Sequence, residues 1–160
     1  MKFDMEYSDN EETTRLIDAA LDARNNSHSP YSNFRVGAAL LTVEGKVFKG
    51  CNIESCSFCK LQASRSITLR LDEPPTICAE RVAIASAVSD SANTHYPKSL
   101  HVCSDVNETP ITPCGVCRQF MREFGKDLQV WLVCPDKRFC RTTLEELLPG
   151  SFGPDSLGKA

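Results

Sequence analysis

Apolar residues recur with a helical period between residues 8 and 25, where Leu16, Ile17, Ala20 and Leu21 fall on one stripe. Ser8 and Glu11 have capping-box spacing, which predicts where this helix starts. The segment reads as a cover for the core and carries no chemistry. From Asn25 to Asn33 the pattern lapses into Asn, Ser and Pro, which predicts a loop. Two strand-like runs follow, Arg35–Thr42 and Lys46–Ile53, and Val43-Glu44-Gly45 between them makes a hairpin. Residues 76–91 and 113–124 read as helices. Short apolar runs at Ser99–Ser104 and Val130–Cys134 suit buried strands, and Phe139–Thr142 is a weaker strand candidate. Thr142 or Thr143, each with a glutamate three residues on, would cap a last short helix through Leu148. This order of elements predicts an α/β fold with helices available for both faces of one sheet. No internal repeat and no linker interrupts it, so residues 1–160 read as one domain.

Composition narrows the partners. Of 160 residues, 41% are hydrophobic and 24% charged, enough for one globular domain with a real core. The net charge of -3 gives no footprint for a nucleic-acid backbone and favours a small, weakly charged or neutral partner. No apolar run approaches the roughly 20 residues of a membrane span. The acidic, polar stretch Met1–Asn10 lacks the character of a secretory signal. A cytoplasmic setting with reduced thiols is therefore expected, and nine cysteines then point to metal binding or catalysis rather than cross-linking. The count is odd, so one thiol at least would stay unpaired in a monomer.

Cys114-Gly-Val-Cys117 follows Pro113 at a predicted helix start. Positions i and i+3 share a helix face, so both sulfurs can reach one ion, and the helix N-terminus favours thiolate. Alone, the pair is also consistent with redox chemistry or with two buried cysteines acting as small hydrophobes. Cys78-Ala79-Glu80 opens the other helix. If Cys78 lies on the incoming loop, it and Glu80 can line one pocket; the blander account is a core cysteine beside a surface glutamate. Together the two elements are far more specific. Three cysteines supply three zinc ligands and leave a fourth position for water, as in a catalytic site. A glutamate that is not a ligand can move protons to and from that water.

In order along the chain stand Ser29-Pro-Tyr-Ser-Asn-Phe34, Val36-Gly-Ala-Ala-Leu-Leu-Thr42, Gly50-Cys-Asn-Ile-Glu54, Thr76-Ile-Cys-Ala-Glu-Arg81, Pro113-Cys-Gly-Val-Cys-Arg-Gln119 and Glu146-Leu-Leu-Pro-Gly-Ser-Phe-Gly-Pro154. Over roughly residues 10–157 this set resembles the zinc-dependent cytidine deaminases, a class whose P-C-x-x-C half and glutamate are a known signature. The resemblance implies a three-layer α-β-α sandwich with a mixed five-stranded sheet. It implies one Zn2+ per subunit on Cys78, Cys114 and Cys117, with Glu80 as proton shuttle and Arg81 tuning the metal through a sulfur. Cysteine at 78, where other deaminase branches carry histidine, points to the free-nucleoside, three-cysteine, homotetrameric branch. Asn52 and Glu54 would bind the ribose, Phe34 would wall the nucleoside, and the Ala79 backbone would meet the base. Phe152 would cover the base from a neighbouring subunit. The implied reaction is hydrolytic deamination of cytidine, and of deoxycytidine, by a zinc-activated water in pyrimidine salvage. A deaminase of another aminopyrimidine nucleoside has the same chemistry.

The chain departs from this family in one place. Between the N-x-E strand and the T-I-C-A-E-R helix it carries about fifteen extra residues, within 59–75. They read either as a lineage-specific loop at the rim of the site or subunit interface, or as a translation artefact. The same stretch creates a second C-x-x-C, Cys56-Ser-Phe-Cys59. A structural zinc module on Cys56, Cys59, Cys114 and Cys117 is the rival from another class, and it leaves Cys78 and Glu80 without explanation. Cys51, Cys103, Cys134 and Cys140 read as buried fillers of strand-like runs.

Overall fold

The computed structural model describes residues 4–55, 76–90 and 97–158. Cys56, Cys59 and the insertion expected at 59–75 lie outside the described residues.

Helix α1 runs Glu11–Asn25. Its N-cap is Asn10, two residues beyond the Ser8 expected, because the Asn10 side chain accepts the Glu12 and Thr13 N–H groups at 2.8 and 3.2 Å. Ser8 instead accepts from the Asn10 N–H. Strands β1 (Val36–Thr42) and β2 (Val47–Cys51) form the hairpin, closed by a Gly45 N–H to Thr42 carbonyl bond with Gly45 at φ 84°. Helix α2 runs Ala79–Asp90. It starts later than residue 76 because Ile77 is held extended, exchanging both backbone hydrogen bonds with Ile53 at 2.9 and 3.0 Å.

Strand β3 (Pro97–Ser104) leads to α3 (Gly115–Met121), which tightens into a 3-10 turn over Arg122–Phe124. Strands β4 (Gln129–Val133) and β5 (Phe139–Thr143) then complete the sheet. Of the two threonines, Thr143 caps the last short helix, α4 (Leu144–Leu147), in a reciprocal capping box with Glu146.

The sheet order is β2-β1-β3-β4-β5, with β3 and β4 parallel and every other pair antiparallel. It is the mixed five-stranded sheet that the resemblance implied. Alternation along β1 sorts the layers. Ala38 and Leu40 face a core with Ala83 and Ile84 of α2, Cys117 and Met121 of α3 and Leu144 of α4. Ala39 faces the opposite core, with Ile17 and Ala20 of α1. On that α1 face His101 is buried and stacks on Trp131 at 4.9 Å. Burial pushes its pKa down to about 3, only partly offset by the Ala39 backbone, so it stays a neutral core residue.

Two glycines let the helices reach the sheet. A Cβ on Gly37 would stand 2.2 Å from the Ala20 carbonyl of α1, and one on Gly50 would stand 2.4 Å from both the Ala79 carbonyl and the Ala83 nitrogen of α2. Those are backbone atoms and cannot swing aside. Gly50→Ala should therefore lift the first turn of α2 off the sheet and cost about 2 kcal/mol or more in a urea unfolding series. Metal content of the purified variant should fall with it, and an unchanged midpoint with full metal would overturn this account.

Candidate active site

Cys78 and Cys114 occupy matching positions, each one residue before a helix. The Cys78 carbonyl accepts the Val82 N–H at 3.1 Å and the Cys114 carbonyl accepts the Arg118 N–H at 3.0 Å, so each residue closes the first turn while its side chain leaves from extended or loop backbone. Cys117 sits one turn into α3 and is fully buried. The three sulfurs lie within 4.8 Å of one another, with Cys78 Sγ 4.0 Å from Cys114 Sγ. Zinc bound at about 2.3 Å to tetrahedral thiolates needs sulfurs about 3.8 Å apart, so the cluster has to close by about an ångström at most. All-sulfur donors in this geometry suit zinc and leave a fourth direction open. Cys78 thus stands in the cluster, whereas the four-cysteine alternative leaves it out.

The thiols share charge unevenly. The Cys78 thiol is pulled down to about 5, chiefly by a hydrogen bond from Cys117, with Arg81 adding to it and burial opposing. Cys117 is pushed up, by that shared hydrogen bond and by burial. Ligating a metal requires both sulfurs as thiolates, so binding would be coupled to proton release. Arg81 Nη2 lies 3.8 Å from Cys78 Sγ and donates to the Thr76 carbonyl at 3.1 Å. The arginine is thus placed against a sulfur.

Glu80 is the second residue of α2 and is only 4% exposed. Burial raises its pKa to about 7; the Cys78 charge adds to this, while a Cys117 hydrogen bond and Arg81 pull the other way. A carboxyl poised there can give and take a proton near neutral pH.

Asn52 and Glu54 lie just past the end of β2, flanking Ile53, whose bridge partner Ile77 directly precedes Cys78. Asn52 is buried: its Oδ1 accepts from Ser27 Oγ at 2.6 Å and from the Val36 N–H at 2.8 Å, and its Nδ2 donates to the Phe34 carbonyl at 2.8 Å. The Glu54 carboxylate accepts the N–H groups of Tyr31 and Ser32 and the Ser32 hydroxyl. Despite some desolvation, these bonds hold it below the usual carboxylate range. Phe34 is partly exposed and Phe152 is 60% exposed, while Ala79 is fully buried against Gly50. Sequence reasoning assigned no role to the residues that hold this frame: Ser27 and Ser32, Arg118 and Gln119 on α3, and Arg122 on the 3-10 turn. Ser32, Arg118 and Gln119 were signalled, by their places within Ser29–Phe34 and directly after Cys117. Of the remaining cysteines, Cys103, Cys134 and Cys140 are buried and Cys51 half-buried.

A mixed sheet that gathers three thiols and a buried carboxyl at two helix starts defines the class as a zinc-site deaminase fold. Residues 10–133 match the family described as the cytidine and deoxycytidylate deaminase zinc-binding region, and the chain belongs to that family. It is 42% identical over 147 residues to a probable cytidine deaminase of Dictyostelium discoideum, covering 92% of this chain and 88% of that one. A cytidine deaminase of Sporosarcina psychrophila is 37% identical, covering 91% and 95%. The crystal structure of cytidine deaminase from Burkholderia pseudomallei superposes with a TM-score of 0.73 at 38% identity, covering 87% of this chain and 98% of that one.

The raised pKa of Glu80 makes a sign-definite prediction for metal-free protein. A carboxyl at about 7 in the fold and about 4.3 unfolded weakens stability as pH rises between those values. Metal-free Glu80→Gln should therefore be more stable than the parent by about 3 kcal/mol at pH 8, shrinking to about 1 kcal/mol or less at pH 5. Urea midpoints at the two pH values measure it; equal midpoints at pH 8 would contradict the burial of charge.

Proposed function

We propose that the chain hydrolyses the exocyclic amine of cytidine, and of deoxycytidine, to give uridine or deoxyuridine and ammonia, as one domain that assembles as a homotetramer in the cytoplasm and serves pyrimidine salvage. The observation that carries this reading is the buried Glu80 carboxyl set beside the Cys78, Cys114 and Cys117 sulfurs. Zinc held by the three thiolates supplies Lewis acidity that makes water nucleophilic near neutral pH.

Glu80 takes one proton from the attacking water as its oxygen bonds to C4, and delivers that proton to ring N3. It then moves the remaining hydroxyl proton to the C4 amine, the C4–N bond breaks, and ammonia leaves with the carbonyl formed at C4. A buried carboxyl that can hold or release a proton serves both transfers. Arg81, against Cys78 Sγ, offsets the negative charge of three thiolates. Asn52 and Glu54 hold the ribose hydroxyls, Phe34 forms a wall, and the Ala79 backbone meets the base. Support for placing the sugar here comes from the Ile53–Ile77 bridge, which sets both polar residues one strand away from Cys78. Phe34, Ile53, Ile77, Val116, Phe120 and Phe152 are exposed apolar side chains that contact between copies would cover. Phe152 would then cover the base of a neighbouring copy.

Glu80→Gln should keep one zinc per chain and lose turnover of cytidine by about 10³-fold, the scale of positioned proton transfer. A zinc-loaded variant with most of the parent rate would falsify the assignment.

A further inference from the structure

Helix α3 carries more than metal ligands. Two of its side chains, with a third from the 3-10 turn that continues it, grip the chain between residues 147 and 155. Arg118 Nη1 donates to the Leu147 carbonyl at 2.7 Å, while its Nε and Nη2 donate to the Pro113 carbonyl and Thr112 Oγ1 at 2.7 and 2.9 Å, ahead of Cys114. Gln119 Nε2 donates to the Phe152 carbonyl at 3.0 Å. Arg122 is 5% exposed, donates from Nε to Ser151 Oγ at 3.0 Å, and pairs through Nη2 with Asp155. Its guanidinium fills the space a side chain would need at Gly153, where a Cβ would stand 2.4 Å from Arg122 Cζ. Residues 151, 152, 153 and 155 are thus all held by Gln119 and Arg122, yet the Phe152 ring is left 60% exposed. A buried, forked cation has been spent on fixing the backbone on both sides of one exposed aromatic ring.

We propose that Arg122 is a positioning residue: with Gln119 it sets the direction in which Phe152 leaves the surface, and so sets how well nucleoside binds in the neighbouring copy. This rests on the reading that Phe152 covers that copy's base. Lysine cannot replace the guanidinium, since one ammonium cannot span Ser151 Oγ and Asp155 in the flat slot over Gly153. The backbone there would gain freedom while the helix keeps its charge and its cysteines.

The test compares Arg122→Lys, Gly153→Ala, Phe152→Ala and the Arg122→Lys/Phe152→Ala double variant as zinc-loaded assemblies, with zinc content, oligomer mass and cytidine kinetics measured for each. Gly153→Ala disturbs the same slot from the other side, so one variant's failure to fold leaves the other to decide. Arg122→Lys and Gly153→Ala should each raise KM about tenfold, with kcat within about threefold and zinc and oligomer mass unchanged. The double variant should be no worse than Phe152→Ala alone, because the arginine acts through the ring. If Phe152→Ala raises KM while the slot variants leave it unchanged, or if the double variant is additive, the positioning role is wrong. If Phe152→Ala itself leaves KM unchanged, the reading of Phe152 fails first and the proposal with it.

Discussion

The whole site hangs on the contact between α2 and β2 at Gly50. Ala79 and Ala83 of α2 come so close to the strand that no side chain fits between them. Ala79 stands between Cys78 and Glu80, so this one approach sets the height of a sulfur of the cluster and of the buried carboxyl above the sheet. It also explains why α2 begins where it does. Ile77 is bound to Ile53 as extended chain, and the backbone has to turn into helix within one residue, which leaves Cys78 at the turn. The opposite layer repeats the device, with α1 resting on Gly37. The sheet is thus clamped between two helices at adjacent strands, and its rigidity is passed on to the sulfurs.

Charge is the second constraint. A deep carboxyl and three thiols are costly to ionise together: burial disfavours each charged form, and like charges gathered in one place repel. The fold answers with one arginine. A hydrogen bond from Cys117 and the guanidinium of Arg81, 3.8 Å from Cys78 Sγ, draw the Cys78 thiol down, while burial pushes Glu80 up. A divalent cation would favour the thiolate form of all three cysteines.

Much of this was legible in the sequence, and the reasons are specific. Cys78, Glu80, Cys114 and Cys117 could be found because metal chemistry demands particular side chains at particular spacings, and helix periodicity says which of them share a face. The hairpin was legible because Gly45 punctuates two apolar runs. Helix starts were less so. Ser8 and Glu11 satisfied the capping pattern, yet Asn10 won, because an Asn side chain reaches two backbone N–H groups at once. Arg122 could not have been found at all. Its partners, Ser151 and Asp155, are some thirty residues away, and no local pattern predicts a long-range hydrogen bond. The N-x-E motif was read as strand, whereas β2 ends at Cys51 and Asn52 and Glu54 lie beyond it.

That last difference changes what Asn52 means. A surface amide would be free to meet a ligand and cheap to replace. Here the amide joins three segments: Ser27 after α1, Val36 at the start of β1 and the Phe34 carbonyl between them. Its oxygen takes two donors while its nitrogen gives to a carbonyl, so an aspartate would set a carboxylate oxygen against a carbonyl oxygen and leave both unsatisfied. Glu54 does the same for the turn at Tyr31 and Ser32. The loop that carries Phe34 is therefore shaped by the two residues assigned to the sugar. Asn52, Glu54 and the Phe34 loop are one hydrogen-bonded unit, so under the proposed function a change to either polar residue would also displace the Phe34 ring.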